Sequence, residues 1–258
     1  MLHYLECGGC YVLRTLDIMF KTIKKLISLC ALAVFIFSYS STSVGDSSSK
    51  YSVSVGAIVF SDFTDNSDTE YLGASYSMPF SFSIKQSDLS WRISTSHLTQ
   101  VEEDVAYNGW GDTSISLAYR LNDNFDIKYR HKFATGDEDL GFSSGEDDDA
   151  VGVDFFHILG NKWSLFASAG YKWVGEGDRT DRQNAANTSI GLGYIVSNDF
   201  SLMSSLDYYQ SSYTTSEDVS GITLLGSHKI NSSVRIGWFV SGDSSNTYSA
   251  GTNLGYSF

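Results

Sequence analysis

The sequence predicts an all-β chain, a transmembrane antiparallel up-and-down β-barrel of about twelve strands, with ten strands as the alternative. Three observations predict this fold class. Apolar and polar residues alternate with period two from residue 50 onward, tight turns alternate with long connecting segments, and aromatic residues collect beside the tight turns. Outer-membrane barrels combine these features because each strand turns one face to lipid and the other to the lumen.

The strands follow from the alternation. Residues 248–258 alternate Tyr, Ala, Thr, Leu, Tyr and Phe with Ser, Gly, Asn, Gly and Ser. Successive side chains of a strand point to opposite faces, so one face is apolar and the other is small and polar. The predicted strands are 51–60, 70–82, 88–98, 112–121, 125–133, 150–158, 163–174, 188–196, 200–209, 220–230, 234–240 and 248–258.

The second predicted strand is the least regular, because Pro79 has no backbone N–H to donate to a neighbouring strand. We therefore expect a bulge or a break there. A break would remove one hairpin, which is why ten strands remain the alternative.

Turn lengths and aromatic residues distinguish a membrane barrel from a soluble sandwich. The connections at 122–124, 160–162, 197–199 and 231–233 are tight, whereas 100–111, 134–149 and 175–187 are predicted to be long external segments. Aromatic residues beside the tight turns predict an interfacial girdle: Tyr51, Trp91, Tyr119, Phe125, Phe155, Trp163, Tyr194, Phe200, Tyr256 and Phe258.

The amino-terminal region predicts export. A cationic stretch at 19–25 precedes the apolar run 26–39, which is short for a transmembrane helix, and small residues follow it. We expect an overextended start at 1–18, a signal peptide at 19–43, a periplasmic linker at 44–50 and the barrel at 51–258. All three cysteines precede the predicted barrel, and we assign them no redox or lipid-anchoring role.

Charge excludes one class of partner. The formal net charge is −13, with 17 basic and 30 acidic residues. A nucleic acid would be repelled, because binding its phosphates requires a basic surface.

Ionisable residues occur at the inward positions of the predicted strands, where they are predicted to line a lumen and set its selectivity. Eight cations and three carboxylates form this set: Arg92, Arg120, Asp126, Lys128, Arg130, Lys132, Asp154, Lys172, Asp207, Lys229 and Arg235. The excess of cations favours anions, or hydroxylated and carboxylated solutes. The alternative is that these residues pair across strands and plug a narrow barrel.

Small residues at other inward positions, such as Ser116, Gly191 and Gly251, leave room inside the barrel. Inward aromatic residues such as Phe166 and Phe239 occupy part of that room and offer contacts to an aromatic solute.

Loop 134–149 carries seven carboxylates and no basic residue. Its spacing does not match a twelve-residue calcium loop, so we interpret it as a solvated acidic loop and predict no metal site and no cofactor. Bridging to lipopolysaccharide phosphates through divalent cations is a second hypothesis for this loop.

The sequence favours no enzyme. The neighbouring pairs Ser96–His97 and Ser227–His228 point to opposite faces, so neither can share a proton. We expect His131 and His157 to face outward near strand ends. We find no histidine that the sequence brings close to two aspartates at the outer rim, as a protease of the acidic-pair type would need.

Residues 109–120 (GWGDTSISLAYR), 132–137 (KFATGD) and the later Gly145 and Asp148 resemble the outer-membrane transporter family associated with the meta-pathway of phenol degradation. That family shows a "GLGD…L…KYR" strand, a "KxPTGD" strand end and then "TG…D". The resemblance covers about residues 105–258; Ala134 replaces the usual Pro and Ser144 stands where Thr is common. It implies a barrel that transports small, including aromatic, compounds.

These observations together predict an outer-membrane location and a narrow channel or transporter for small anionic or aromatic solutes. The alternative is a structural or surface-interaction barrel with a plugged interior and acidic external loops. The expected partners are outer-membrane lipid and lipopolysaccharide, a small-molecule solute, and the barrel assembly machinery through the carboxy-terminal strand that ends at Phe258.

Overall fold

The computed structural model of the chain describes residues 49–64, 71–102, 105–175 and 181–258. The predicted start segment 1–18, the signal peptide 19–43, the three cysteines and most of the predicted linker lie outside the described residues. Ser49 and Lys50, the end of that linker, already belong to the first strand.

Thirteen strands make up one antiparallel sheet in the described ranges. They are β1 (Ser49–Thr64), β2 (Tyr71–Gln86), β3 (Leu89–Glu102), β4 (Val105–Trp110), β5 (Thr113–Arg120), β6 (Phe125–Phe133), β7 (Asp148–Leu159), β8 (Trp163–Val174), β9 (Ala185–Ile195), β10 (Phe200–Tyr209), β11 (Val219–Lys229), β12 (Val234–Asp243) and β13 (Thr247–Ser257). Strands adjacent in this order pair, except at β4 and β5, and β1 pairs with β13. The sheet therefore closes into a barrel, which confirms the predicted fold class.

Strands β4 and β5 together fill one position in the barrel. Both pair antiparallel with β3, which uses residues 97–102 for β4 and 89–94 for β5. The barrel therefore has twelve strand positions, and the ten-strand alternative is wrong. The prediction of a long loop over 100–111 is also wrong, because β3 continues to Glu102 and β4 returns beside it.

A β-bulge separates β4 from β5. Two residues of β3 lie between the partners of Trp110 and Ser114, whereas the other strand has three residues, 111–113, over the same stretch. The extra residue interrupts the ladder and changes the direction of the local side chains, which is the usual effect of a bulge.

Pro79 interrupts a ladder without breaking its strand. Pairing between β1 and β2 stops after Val55–Phe80 and resumes at Ile58–Ser77 in an unchanged register. On its other edge, Pro79 pairs in register with Ser96 of β3. The expected bulge or break is therefore wrong, since only the hydrogen bonding toward β1 is lost.

Side-chain oxygens close three of the tight turns in the same way. Asn122 Oδ1 accepts hydrogen bonds from the backbone N–H groups of Asn124 (2.9 Å) and Phe125 (3.1 Å). Asn231 Oδ1 binds the two corresponding N–H groups of its turn, and Ser197 Oγ does so in a third turn. Asn and Ser favour such turns because their short side chains replace a backbone acceptor.

The outward face is apolar and exposed. Leu206 pairs with Ile190 on one side and Ile222 on the other, and these side chains are 63, 54 and 59% exposed. The one hydrophobic residue that is buried among the described residues is Ala185. Such a surface would be an aggregation hazard in water, whereas it matches the hydrocarbon region of a bilayer. Across the described ranges, no helix is long and apolar enough to cross a membrane.

The predicted aromatic girdle forms beside the tight turns. Ring centroids of Trp163 and Tyr194 lie 4.8 Å apart and those of Phe125 and Phe155 lie 5.0 Å apart. Tyr51 stacks on Phe258 at 5.9 Å, next to the two backbone hydrogen bonds of 3.0 Å that join these residues. The first and last described residues therefore lie at the same end of the barrel as the tight turns.

We predict that Ile127→Arg or Leu192→Arg prevents assembly into the membrane. Both side chains face outward and are 44 and 48% exposed, and an arginine on the lipid face costs about 2–4 kcal/mol at the bilayer midplane. The measurement is the fraction of protein whose gel migration changes on heating, a property of folded barrels. Ser189→Arg is the matched control. Position 189 faces inward beside Asp207, so this variant should assemble. Normal folding of Ile127→Arg without detergent would contradict the membrane barrel.

Candidate functional site

The strand register places all eleven predicted lumen residues on one face of the sheet. Directly paired residues of neighbouring strands share a face, so rows of partners can be followed around the barrel. One row runs through Arg92, Ser116, Arg130, Ala150 and Lys172. A second runs through Arg120, Asp126, Asp154, Ser168, Ser189 and Asp207. A third runs through Lys229, Arg235, Gly255, Ser54, Ser81, Ser94, Ser114, Lys132 and Asp148.

This is the face predicted to line the lumen, and the opposite face carries the exposed apolar band and the girdle. Lys128 lies on β6 between Asp126 and Arg130 and shares their face. The eleven residues thus share one face of the sheet, while their lining of the lumen and their effect on selectivity stay predictions.

No packed core fills the described part of the lumen, where no large side chain is fully buried. Inward aromatic rings lie against the wall. A Cβ atom added to Gly191 would overlap the ring of Phe166, and one added to Gly251 would overlap the ring of Phe239. Glycine at these two positions therefore leaves room for each ring to lie against the neighbouring strand.

Two ion pairs lie near the tight-turn end of the lumen. Arg120 Nε is 3.6 Å from Asp126 Oδ1, and Lys128 pairs with Asp154. Their side chains are about one-third to one-half exposed. Pairs of this kind contribute about 0–1 kcal/mol each, so they cannot by themselves hold the interior shut.

A buried charge cluster lies at the opposite end. Lys132 Nζ is 3.0 Å from Asp112 Oδ2 and 3.1 Å from Asp148 Oδ2. Arg182, from the segment between β8 and β9, donates to both carboxylate oxygens of Asp148 at 3.1 Å and also pairs with Glu146. The side chains of Arg182, Glu146 and Asp148 are only 4, 6 and 7% exposed. We call Asp112, Lys132, Glu146, Asp148 and Arg182 the mouth cluster.

The charges of the mouth cluster stabilise one another. Burial alone would lower the pKa of Arg182, but hydrogen bonds to Glu146 and Asp148 raise that pKa above its ordinary value. Asp112 joins the cluster because it lies in the bulge between β4 and β5, which leaves its side chain 13% exposed beside Lys132. Sequence analysis missed Arg182, which lies outside the strands, and did not include Asp112 among the predicted lumen residues.

Loop 134–147 folds onto the inner side of the barrel rim. The N–H of Gly136 donates to Asp112 Oδ1 at 3.0 Å, and the N–H of Asp137 donates to the carbonyl of Trp110 at 3.1 Å. Phe142 lies against Gly109, on the lumenal side of β4. The prediction of a solvated acidic loop is therefore wrong for Glu146 and for Asp148, which begins β7, although Asp137, Glu138 and Asp139 are exposed. Among the described residues, no group of three or more His, Cys, Asp or Glu side chains is arranged to hold a metal ion.

Five of the predicted lumen cations have no ion pair with any described residue. These are Arg92, Arg130, Lys172, Lys229 and Arg235. Arg130 donates to Ser114 Oγ at 3.0 Å, which leaves its charge uncompensated. Asp207 accepts hydrogen bonds from Ser205 and Thr223 instead of pairing with a cation.

His131 lies on the outer wall between two carboxylates, a contact that sequence analysis did not find. Its Nδ1 is 2.8 Å from Asp149 Oδ1 and its Nε2 is 3.6 Å from Asp147 Oδ2, while Tyr129 donates to Asp149 at 2.5 Å. The outward position predicted for His131 is confirmed by its pairing with Asp149, and that of His157 by its pairing with Leu165.

We predict that Arg182→Met loosens loop 134–147. The substitution leaves Glu146 and Asp148 buried without their main partner, which typically costs about 3–5 kcal/mol. The measurement is the rate of proteolysis within the loop of the folded barrel, which should rise strongly. Arg120→Met is the matched control, since its exposed pair contributes at most about 1 kcal/mol. Equal proteolysis of the two variants would show that the mouth cluster does not hold the loop.

Three solved structures that share this fold are described as an outer-membrane channel and two porins. The COG4313 outer membrane channel from Pseudomonas putida F1 is 12% identical, with a TM-score of 0.63 over 83% of this chain and 97% of that chain. The KdgM porin in complex with disordered oligogalacturonate is 11% identical, with a TM-score of 0.56 over 80% and 99% of the two chains. The NanC porin is 12% identical, with a TM-score of 0.51 over 79% and 98%. At such identities the likeness establishes the fold alone. A comparison with curated proteins gave no significant match.

The sequence comparison establishes the family. The profile of the family described as "Putative MetA-pathway of phenol degradation" matches residues 37–258, most of the chain and the whole barrel. With the closed barrel, its apolar exterior and its girdle, this match confirms the resemblance and the outer-membrane location predicted from the sequence. The chain belongs to this family of outer-membrane β-barrels.

Proposed function

We propose that the barrel is a narrow channel for small solutes, anionic or aromatic, whose selectivity is set by lumenal Arg and Lys. One observation carries the proposal: five lumenal cations have no ion pair with a described residue, in an interior without a packed core. Charges without partners are stable only where water reaches them. A water-filled passage is the arrangement that satisfies both facts.

Three of the five cations without an ion pair to a described residue lie close together. Arg92 and Arg130 both pair with Ser116, and Arg130 and Lys172 both pair with Ala150. Three positive charges therefore follow one another along a single row of the inner wall. Low-dielectric walls focus such a field into the lumen and raise the local concentration of anions.

The relatives support the same class of function at a coarser level. The three similar structures reported above are a channel and two porins, and one porin is described in complex with an oligogalacturonate, which is a polyanion. The family's description points to phenol degradation. An anionic or aromatic solute is consistent with both, and no enzymatic role is proposed.

A second candidate is a structural or surface-interaction barrel with a closed interior. The mouth cluster favours it, because it fixes loop 134–147 on the inner side of the rim. In that case the exposed carboxylates of the loop would contact lipopolysaccharide or another surface partner. For either candidate we propose that β13, which ends beside Phe258, is the strand that the barrel assembly machinery binds.

The test is ion selectivity in a planar bilayer under a salt gradient, with protein purified from outer membranes. We predict discrete conductance steps and a reversal potential that indicates anion preference. Arg92→Gln, Arg130→Gln and Lys172→Gln should each reduce that preference, because each removes one charge from the row. Lys162→Gln is the control of equal charge change, since Lys162 lies over the outward ring of Tyr194 in a tight turn. A folded protein that stays electrically silent would contradict the channel and favour the second candidate.

A further inference from the structure

Two cations of the lumen occupy an electrostatically unfavourable position. Lys229 of β11 and Arg235 of β12 are direct cross-strand partners on the inner wall. Like charges directly opposite each other destabilise a sheet. Neither forms an ion pair with a carboxylate of the described residues, so no carboxylate in that part of the chain offsets the repulsion.

Both side chains line a cavity at the tight-turn end of the lumen, and a third cation lines it as well. The cavity has a volume of about 320 Å³, and Arg92 of β3 contributes to it with Lys229 and Arg235. The rest of its wall carries no charge and is mostly polar: it includes Ser52, Ser54, Ser81, Ser83, Asn231 and Asn253, together with Val53 and Val234. Ser52 bonds to Ser83 at 2.6 Å and Ser54 to Ser81 at 2.8 Å, so these hydroxyls lie along the wall. The lining holds three positive charges and no carboxylate.

An apolar cavity adjoins this polar one. It has a volume of about 350 Å³ and is lined by Ile58, Pro79, Met203, Leu225 and Phe239, among others. Arg235, Asn253 and Gly255 line both cavities, so the two cavities adjoin at Arg235. Phe239 lies flat over Gly251, and Pro79 Cγ would be 3.0 Å from a Cβ at Gly56. Phe239 and Pro79 therefore lie against neighbouring strands of the barrel wall.

We infer that the joined cavities are a binding site for a small carboxylate with an apolar body. The carboxylate would lie against Arg235, whose guanidinium can donate two hydrogen bonds, and Lys229 and Arg92 would add charge. The apolar body would contact Leu225, Phe239 and Met203 one layer further along the lumen. This inference rests on the proposed function, since the ligand is a solute in transit.

The lining selects against other ligand classes. A neutral hydrocarbon would occupy the apolar cavity but would supply no negative charge to the two facing cations. A free sugar acid would supply the charge but would make no contact with the apolar wall. Together the two cavities have the size of a small-molecule site, typically about 300–1,000 Å³. Only a ligand with both a carboxylate and an apolar body would interact with both the cationic and the apolar cavity.

The experiment is calorimetric binding to the whole protein in detergent with three probes. These are 3-phenylpropionate, acetate, which has the charge without the body, and 3-phenylpropan-1-ol, which has the body without the charge. We expect 3-phenylpropionate to bind at least about tenfold more tightly than either, since each half contributes more than about 1.4 kcal/mol. Arg235→Gln should weaken its binding about tenfold or more, and Leu225→Ser should weaken it while leaving acetate unchanged. Arg92→Gln gives a second test of the charge, and Lys162→Gln should have no effect.

The outcomes separate the site from the channel. Equal affinity for 3-phenylpropionate and acetate, or unchanged binding by folded Arg235→Gln and Arg92→Gln, would overturn the site even if the protein conducts. Binding with the expected preferences in a protein that is silent in bilayers would uphold the site and refute the channel. Heat-dependent gel migration of each variant shows that the barrel being titrated is folded.

Discussion

The structure depends on closure of the sheet, because closure leaves no strand edge with unpaired backbone hydrogen-bonding groups. In hydrocarbon no water can satisfy a free N–H or C=O group, so a sheet can cross a bilayer only if its first and last strands pair. Here β1 and β13 pair over Ser52–Asp62 and Thr247–Ser257. Pro79 interrupts the hydrogen bonding between β1 and β2 without a change of register, and it still pairs with β3. The barrel therefore closes despite the proline.

Closure of the barrel determines which environment each side chain faces. Once the register of the strands is fixed, successive side chains alternate between the lipid-facing side and the inner side of the sheet. Ile190, Leu206 and Ile222 can then be fully apolar and exposed, while Lys229 and Arg235 can be charged and adjacent. The interior therefore differs from a protein core: five of its cations have no ion pair with a described residue, and the ion pairs that are present are concentrated at its two ends.

Sequence analysis predicted most of the fold and which residues share a face of the sheet, because both depend on local alternation. The strands 125–133, 163–174 and 200–209 have the predicted bounds, and all eleven lumen residues share one face. What it missed depends on contacts distant in sequence. Strand β4 pairs with β3 and is hydrogen-bonded to loop 134–147. The bulge is a difference of one residue between two paired strands. Arg182 contacts Asp148 from a segment that has no alternating pattern.

The central claim is that water fills a lumen whose potential is positive, and thiol labelling at position 116 tests it most directly. Ser116 lies between Arg92 and Arg130 on the inner wall, and Ile115 is its outward neighbour. In a parent chain whose three native cysteines are replaced by serine, we expect Ser116→Cys to react with an anionic methanethiosulfonate faster than with a cationic one. Ile115→Cys should be protected by lipid. An unreactive thiol at position 116 of the folded barrel, or a faster reaction with the cationic reagent, would contradict the account.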